Sequence, residues 1–236
     1  HSFPTRRSSD LKTIVTTDLI DKMCASKGVP CYNTLTGFKY IAQVIRELEG
    51  KEKFLGGGEE SYGYLIGDAV RDKDAVASCA MIAELTAYAK DQGKSLFDFL
   101  AEMYVENNFY YEGLISLTKK GKAGAEEIKQ MMIDLRENPM KEINGQRVIC
   151  IEDYLASKGK DFMNNEEFEI HVPKSNVLIY YLEDGSKICA RPSGTEPKIK
   201  FYFSVNGVLD TIENAESVEK ILDNKIAGII SAMKLN

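Results

Sequence analysis

The sequence is poor in histidine, and this scarcity narrows the chemistry that it can support. Only His1 and His171 occur among its 236 residues. A Ser-His-Asp triad needs a histidine to transfer the proton, and zinc sites commonly use several histidines. Both classes of site are therefore nearly excluded.

Cysteine is also sparse, and its pattern does not indicate a cross-linked protein. The five cysteines are odd in number, form no Cys-x-x-Cys pair, and lie in segments with helical or strand patterns. Disulfide frameworks and zinc modules use paired, regularly spaced cysteines. We therefore expect reduced, buried thiols in a cytoplasmic protein.

Long apolar runs and an excess of basic residues are missing as well. No stretch reaches the roughly 20 apolar residues that cross a bilayer. The net charge of −6 argues against a broad nucleic-acid-binding surface. We expect neither a membrane nor nucleic acid as a partner, and an anionic ligand would need a local cluster of Arg, Lys and backbone amides.

The first eleven residues, 1–11, are predicted to be a non-native leader. They show no periodicity and match the translation of a common sequencing-library adapter, and they lack the apolar core of a signal peptide. We expect this leader to lie outside the fold and the natural protein to extend further upstream.

From Lys12 onward, short strand patterns alternate with helical ones, which is typical of an α/β domain with a mixed sheet. The β-branched run 13–17 predicts the first strand, and apolar spacing predicts a helix over 38–48. A helix that begins at Ser95 is expected to bury Leu96, Leu100, Met103 and Tyr104. This domain is predicted to span 12–137.

The remaining sequence is different in character. Residues 138–165 contain Pro139, Gly145 and Gly159 and are predicted to be a linker region with a short strand at 148–151. Residues 166–236 predict a small α+β domain with an antiparallel sheet and packed helices. Within it, two strand patterns flank a turn at 183–185, and the chain ends in an amphipathic helix.

The strongest candidate for ligand binding is the segment Arg191-Pro-Ser-Gly-Thr-Glu-Pro-Lys198, which lies between two predicted strands. Arg191 can donate a fork of N–H groups to phosphate oxygens. Ser193 and Thr195 offer hydroxyls, and Gly194 allows backbone amides to turn toward an anion. The segment is either a phosphate-binding loop or an ordinary polar hairpin loop.

A second candidate is Gly56-Gly-Gly-Glu-Glu-Ser-Tyr-Gly63, which follows a predicted strand. Its glycines permit close approach of a ligand or simply positive φ. Glu59, Glu60 and Ser61 present groups that suit sugar hydroxyls, while two adjacent carboxylates could also hold a metal. A flexible surface loop is the alternative.

Two shorter segments place a cation at a helix start. Arg71-Asp-Lys-Asp74 precedes a long predicted helix, and Lys73 could meet an anion or exchange a proton there. Thr36-Gly-Phe-Lys39 has the same arrangement at the helix predicted over 38–48. An exposed run of charged residues is the ordinary explanation of both segments.

Taken in order, these four segments resemble the α-D-phosphohexomutase family, which includes phosphoglucomutases and phosphomannomutases. The first three resemble the family's third domain, and the Arg191–Lys198 loop is similar to the phosphate loop of its fourth. The resemblance extends from Lys12 to Asn236. It implies the C-terminal half of such an enzyme, with an α/β domain followed by the small α+β domain.

The resemblance also implies roles for individual residues. Glu59 and Ser61 would bind hydroxyls of the hexose ring, and Thr36 and Gly37 would line the sugar site. Lys73 would be the candidate acid or base. The phosphate that is not being transferred would be held by the loop of Arg191, Ser193, Gly194, Thr195 and Lys198.

Two features of the family are absent from the sequence. Nothing matches the Ser-His-Asn-Pro-like loop that carries the phosphorylated serine, and Asp72-x-Asp74 is the nearest approach to the Asp-x-Asp-x-Asp magnesium loop. We therefore expect this chain alone to be inactive. The full-length enzyme would use Mg²⁺ and a hexose 1,6-bisphosphate, and its N-terminal domains would be the partner of this chain.

The loop 56–63, which we call the sugar loop, also bears on substrate preference. Relatives that act on glucosamine phosphate more often have Gln and a Gly-His pair where this chain has Glu60, Tyr62 and Gly63. This difference favours a phosphoglucomutase, with phosphomannomutase or phosphopentomutase activity as alternatives. A non-catalytic sugar-phosphate-binding module is the alternative from another class, and a chance match of the loops is the third.

Overall fold

A computed structural model of the chain describes residues 7–235, with the side chain of Arg7 excepted. The contacts divide the chain into two compact units. The first unit runs to Asn108 and includes Asp210–Ile212, and the second comprises Phe109–Leu209 and the chain from Glu213 onward.

The first unit is built on a four-stranded mixed sheet in the order β2-β1-β3-β4. β1 is parallel to both β2 and β3, and β4 is antiparallel to β3. Its elements, in chain order, are β1 (Arg7–Thr13), α1 (Leu19–Ser26), β2 (Cys31–Thr34), α2 (Phe38–Leu48), β3 (Glu52–Gly58), β4 (Tyr64–Ile66), α3 (Ala75–Asp91) and α4 (Leu96–Asn107). This architecture confirms the predicted α/β domain with a mixed sheet.

The first strand differs from the sequence prediction. The strand predicted over 13–17 was wrong, because β1 ends at Thr13 and the chain then turns toward α1. Residues 7–11 of the predicted leader lie in β1, between β2 and β3, and Leu11 is 1% exposed. The origin of the leader stays a prediction, but its described residues lie inside the sheet.

Apolar side chains from the strands and from α2 form one core of this unit. The cluster consists of Leu11, Phe38, Ile41, Ile45, Phe54 and Leu65. The apolar residues of α2 recur at helical spacing, so a single face of the helix packs on the sheet. The predicted helix over 38–48 is confirmed at both ends.

Side chains also fix the starts of α3 and α4. Asp74 accepts hydrogen bonds from the amides of Val76 and Ala77, each at 3.0 Å. Ser95 and Asp98 form a reciprocal capping box at the start of α4. The prediction that α4 buries Leu96, Leu100, Met103 and Tyr104 is wrong, since no residue of this helix is buried.

The second unit is an antiparallel sheet with packed helices. The strand order is β5-β12-β11-β10-β7-β8-β9, with β6 paired to β7, and α6 packs on β5 and β12. The strands are β5 (Phe109–Thr118), β6 (Glu142–Ile143), β7 (Gln146–Asp153), β8 (Lys158–Asp161), β9 (Glu166–Glu169), β10 (Leu178–Leu182), β11 (Lys187–Pro192) and β12 (Lys198–Gly207). The helices are α5 (Gly121–Glu137), a 3-10 turn (Ile212–Asn214) and α6 (Ala215–Ala232). The predicted α+β domain with an antiparallel sheet is confirmed.

The division between the units does not coincide with the predicted boundary at 137. β5 pairs with β12 over its whole length, from Phe109 opposite Gly207 to Thr118 opposite Lys198. This pairing joins β5 and the following α5 to the second unit. The segment 138–165, predicted as a linker region with a short strand at 148–151, contributes β6, β7 and β8 to the sheet, and β7 contains the predicted strand.

Within residues 7–235, no helix combines the length and the apolar character that crossing a membrane requires.

Candidate functional site

In the first unit, two of the segments singled out in the sequence follow parallel strands of the sheet. β1, β2 and β3 are parallel, so their carboxyl ends, at Thr13, Thr34 and Gly58, lie at the same edge. Ligands of α/β proteins characteristically bind outside this edge. The Thr36–Lys39 segment follows β2, and the Glu59–Gly63 loop follows β3.

Glu59 is bound directly to the start of α2. The amide of Gly37 donates to Oε1 of Glu59 at 2.7 Å. Gly37 has φ +116°, a conformation that favours glycine. The amide at this helix start therefore holds a carboxylate, and the two predicted sugar-binding residues contact each other. Thr36, immediately before Gly37, is half-buried.

Glu60 is bound to the end of β1. Oγ1 of Thr13 donates to Oε2 of Glu60 at 3.0 Å and lies 3.0 Å from Oγ1 of Thr16. Thr13 is fully buried, whereas Glu60 is half-buried. Sequence reasoning did not include Thr13 in the site, because the strand was placed over 13–17. Placing the strand end at Thr13 would have brought it to the same edge as Glu60.

The turn between the two glutamates and β4 presents polar groups to solvent. The amide of Glu59 donates to the carbonyl of Gly63 at 2.8 Å, which closes the turn. Ser61 is exposed, and Tyr62 has φ +64° and is fully exposed. The hydroxyl of Ser61 is therefore accessible to a ligand.

Lys73 lies against this turn. A Cβ added to Gly63 would come within 2.7 Å of Cδ of Lys73 and 3.1 Å of Oε2 of Glu59. The Nζ atom of Lys73 lies 5.1 Å from the ring centroid of Phe38. The structure thus brings Lys73, Glu59 and the start of α2 together, although they are separated in the sequence.

Charge around Lys73 favours its protonated form. Nζ donates to Oδ1 of Asp72 at 2.7 Å. This hydrogen bond raises the pKa of Lys73, and the negative charges of Asp72 and Glu59 act in the same direction. The same hydrogen bond lowers the pKa of Asp72. At neutral pH the site therefore holds an ammonium group beside two carboxylates.

A buried lysine supports the loop that follows β1. Lys12 is 1% exposed, and its Nζ lies 2.9 Å from Asp21 and 3.3 Å from Asp18. It also donates to the carbonyl of Thr16 at 3.3 Å. Because a buried ammonium needs such partners, this arrangement fixes the turn that carries Thr16. Lys12 was not among the residues predicted from the sequence.

In the second unit, the predicted phosphate loop joins β11 to β12. Arg191 pairs with Lys200 across the two strands, so their side chains lie on the same face of the sheet. Nη1 of Arg191 lies 3.5 Å from the hydroxyl of Tyr202. Two positively charged side chains therefore lie on one face at the base of the loop. Lys200 was not among the residues predicted from the sequence.

The tip of the loop is an open polar turn. Oγ of Ser193 accepts from the amides of Thr195 and Glu196 at 3.3 and 3.4 Å. The amide of Ser193 donates to the carbonyl of Lys198 at 2.7 Å, which closes the turn. A Cβ on Gly194 would meet nothing within 4 Å. Hydroxyls and amides are thus concentrated at an exposed tip.

A cavity of about 630 Å³ lies between this loop and α5, inside the second unit. Ser193, Gly194 and Thr195 line one side, and Lys129 and Met132 of α5 line another. The loop is therefore accessible from the helix side as well as at its tip.

The described residues do not fit a magnesium site. Oδ1 of Asp72 binds Lys73, and Oδ1 of Asp74 caps α3. Within residues 7–235, no three His, Cys, Asp or Glu side chains are grouped so that they could hold a metal ion. No step of the chemistry is therefore assigned to a metal bound by this chain.

Comparison with known proteins finds relatives among the phosphoglucomutases and phosphomannomutases. The family described as phosphoglucomutase/phosphomannomutase, alpha/beta/alpha domain III, matches residues 6–106. A phosphoglucomutase of Staphylococcus haemolyticus (strain JCSC1435) is 39% identical over 218 residues, which make up 92% of this chain and 39% of that protein. A phosphoglucomutase of Staphylococcus aureus (strain MRSA252) is 39% identical over 195 residues, 83% of this chain and 35% of that protein. The chain thus spans less than two fifths of the length of these curated relatives.

Solved structures share the fold at low identity. The open form of pp63/parafusin, a phosphoglucomutase from Paramecium, matches 96% of this chain and 37% of its own with a TM-score of 0.66 and 17% identity. A phosphoglucomutase/phosphomannomutase family protein from Burkholderia thailandensis matches 96% of this chain and 38% of its own with a TM-score of 0.52 and 14% identity. The α/β fold of the first unit and the α+β fold of the second are therefore found in solved structures as well.

Proposed function

Because the chain belongs to the phosphoglucomutase/phosphomannomutase family, we propose that it is the C-terminal part of a phosphohexomutase, specifically a phosphoglucomutase. The complete enzyme would interconvert hexose 1-phosphate and hexose 6-phosphate through a phosphoserine and a bisphosphorylated sugar. This chain would supply the binding of the sugar and of the phosphate that is not transferred.

The position of Glu59 is the observation that carries this proposal. One of its oxygens accepts from the amide of Gly37 at 2.7 Å, so the carboxylate is held in place before a ligand arrives. A carboxylate accepts several hydrogen bonds, and Glu59 can therefore accept more from sugar hydroxyls. Ser61, exposed two residues later, adds a hydroxyl to the same loop.

Lys73 would act as a proton donor when the phosphoryl group leaves the sugar oxygen. Asp72 and Glu59 favour the ammonium form, so a proton is available at Nζ at neutral pH. Nζ would donate a hydrogen bond, and then a proton, to the sugar oxygen that the phosphoryl group leaves. In the reverse direction Nζ would take that proton back.

The Arg191–Lys198 loop would hold the phosphate that stays on the sugar. The guanidinium of Arg191 can donate two parallel hydrogen bonds to phosphate oxygens, and the tip adds the hydroxyls of Ser193 and Thr195. The amides of Thr195 and Glu196 already point at the oxygen of Ser193. A phosphate oxygen would replace that weak acceptor.

Turnover requires parts that this sequence does not contain. No Ser-His-Asn-Pro-like loop occurs in it, and the described carboxylates do not form a magnesium site. Magnesium would neutralise charge on the transferring phosphoryl group. Without that ion and the serine nucleophile, we expect this chain alone to bind substrate and not to convert it.

Titration of the isotope-labelled chain with glucose 1-phosphate tests the proposal. We expect shifts in the amide resonances of residues 59–63 and 193–195. Arg191→Ala should weaken the affinity by roughly tenfold or more, since a charge-assisted contact to phosphate is lost. Arg147→Ala is the matched control, because Arg147 is an exposed arginine of the same unit that pairs with Glu183.

Equal affinity in the Arg191→Ala and Arg147→Ala variants would contradict the phosphate-binding role. Equal affinity for mannose 1-phosphate and glucose 1-phosphate would contradict the preference for glucose and would favour phosphomannomutase activity. Formation of glucose 6-phosphate by the purified chain would contradict its expected inactivity.

A further inference from the structure

Tyr62 combines full exposure with an unfavourable backbone conformation. Its side chain is 101% exposed, and its φ of +64° lies in the left-handed region, which bulky L residues rarely adopt. Of the six non-glycine residues with positive φ in the described part of the chain, three are asparagines and Tyr62 is the only aromatic one. A fully exposed ring gives the fold no packing energy that would offset this cost.

The turn that carries Tyr62 is fixed on both sides. The amide of Glu59 donates to the carbonyl of Gly63 at 2.8 Å, and the carboxylate of Glu59 accepts from the amide of Gly37. A Cβ on Gly63 would lie 2.7 Å from Cδ of Lys73, so glycine alone fits there unless that side chain moves. These contacts hold the turn, and with it the left-handed conformation of Tyr62.

Tyr62 lies among the residues proposed to bind the sugar. It directly follows Ser61 in the sugar loop, three residues after Glu59. Consecutive Cα atoms are about 3.8 Å apart, so the ring can reach a hexose whose hydroxyls these two residues bind. A tyrosine side chain has only two χ angles, and placing it on a ligand therefore costs little conformational entropy.

A hexose offers a surface that an aromatic ring can cover. The free hydroxyls on the ring of glucose 1-phosphate are equatorial, so its axial C–H bonds form apolar patches on the faces of the sugar. The face of an aromatic ring carries partial negative charge and attracts such C–H groups. Carboxylates and hydroxyls bind the polar edge of a sugar, and they leave these faces uncovered.

We infer that Tyr62 is a further substrate-binding residue, whose ring packs on a C–H face of the hexose held by Glu59 and Ser61. The inference rests on the proposed function, which places a hexose phosphate at the sugar loop. Strained backbone conformations persist where the surrounding structure enforces them, and they cluster at ligand sites. The ring would cover one side of the sugar and exclude water from it.

The Tyr62→Gly variant separates binding from stability. Glycine adopts positive φ without strain, so the midpoint of thermal unfolding should not fall. The affinity for glucose 1-phosphate, measured by calorimetric titration, should fall roughly fivefold, because the contact with the aromatic ring is lost. Tyr62→Phe keeps the ring and should retain the wild-type affinity.

Asn165→Gly is the matched control for this substitution. Asn165 is exposed, has φ +55° and lies outside the sugar loop, so its replacement should leave the affinity unchanged. Wild-type affinity in Tyr62→Gly would overturn the inference. A loss in Tyr62→Phe as large as that in Tyr62→Gly would overturn it as well, because the ring would then not be the contact.

Fluorescence provides a second test, since the chain contains no tryptophan. In Tyr62→Trp the single indole should respond to glucose 1-phosphate with a saturable change in emission, because the sugar replaces water at its face. Phe97→Trp places an indole at an 80% exposed position of α4 and should show no change. Unchanged emission of Tyr62→Trp, while calorimetry shows binding, would overturn the inference and keep the proposed function.

Methyl α-D-glucopyranoside, which has no phosphate, separates the inference from the phosphate-binding role. A saturable response of Tyr62→Trp to this glucoside would support the contact with the sugar. That support would hold even if Arg191→Ala left the affinity for glucose 1-phosphate unchanged, a result that would reject phosphate binding by the Arg191–Lys198 loop. Absence of a response to both ligands would overturn the inference.

Discussion

The amide of Gly37 donates a hydrogen bond of 2.7 Å to Oε1 of Glu59. The two residues are 22 positions apart in the sequence, and each follows the carboxyl end of a parallel strand. The bond joins the start of α2 to the loop that follows β3. Consequently, the residues proposed to bind the sugar form one connected structure before any ligand is present.

Replacement of Gly63 should disturb Lys73 more than the fold. In Gly63→Ala, the new Cβ would lie 2.7 Å from Cδ of Lys73, and the flexible lysine can move away. We expect the free energy of unfolding to fall by less than about 1 kcal/mol and the affinity for glucose 1-phosphate to fall clearly. Chemical denaturation and calorimetric titration measure the two quantities.

Gly194→Ala provides a comparison for stability, because its Cβ would meet nothing within 4 Å. A Gly63→Ala variant that loses stability and keeps its affinity would show that Lys73 has no role in binding.

The hydrogen bond between Thr13 and Glu60 should stabilise the sugar loop. Thr13 is fully buried, so Thr13→Val keeps the shape and removes the donor to Glu60. A double-mutant cycle with Glu60→Gln should give a coupling energy of about 1–3 kcal/mol, as expected for a hydrogen bond to a charged group. The exposed Glu169→Gln in the same cycle should show no coupling to Thr13→Val.

Ser9 is an unfavourable residue at its position. It is fully buried in β1, and its hydroxyl has no hydrogen-bond partner among residues 7–235. Ser9→Ala should therefore raise the free energy of unfolding by about 1 kcal/mol. Ser26→Ala, at an exposed helix end, should change it by less than about 0.5 kcal/mol. Destabilisation by Ser9→Ala would mean that the hydroxyl is satisfied in solution.

Asp10 should make the first unit less stable as the pH rises. Burial raises the pKa of Asp10 above its ordinary value of 3.8, and this effect exceeds the opposing hydrogen bond from the amide of Leu11. Between the ordinary and the raised pKa, the folded state binds more protons than the unfolded state. The contribution of Asp10 to stability is therefore most favourable below the ordinary pKa and is lost as the pH rises through the raised one.

Asp10→Asn isolates this effect, because the amide oxygen can still accept from Leu11. The stability difference between the variant and the wild type should be small at low pH and should grow above the ordinary pKa of aspartate. The comparison with the variant is needed because the contributions of other carboxylates to stability change with pH in the opposite direction. Hydrogen bonds from the amides of Met163 and Asn164 lower the pKa of Asp161, so its contribution is lost as the pH falls. A pH-independent difference would contradict the raised pKa of Asp10.

The helices were predictable from local patterns. The apolar spacing of α2 predicted both of its ends, and the carboxylate of Asp74 caps the start of α3. The capping residues Ser95 and Asp98 likewise marked α4. Helical hydrogen bonds and caps connect residues within about four positions, so their signals lie in adjacent sequence.

The burial of α4 was not predictable in the same way. Periodicity indicated which side chains share a face, yet it did not indicate whether anything lies against that face. Leu100 is 40% exposed, although its spacing is that of a core residue. Burial depends on how closely a second element covers that face, and no residue of α4 is buried in the described part of the chain.

The sequence by itself determined the kinds of element, the two fold classes and the loops that carry charge and hydroxyl groups. The tertiary structure decided which of those loops meet and where one unit ends. Gly37 reaches Glu59, Thr13 reaches Glu60, and β5 joins the second unit through its pairing with β12, which starts 80 residues after β5 ends. Each of these contacts joins residues that are distant in the chain, and such pairing depends on register and packing across the whole sheet rather than on any local pattern.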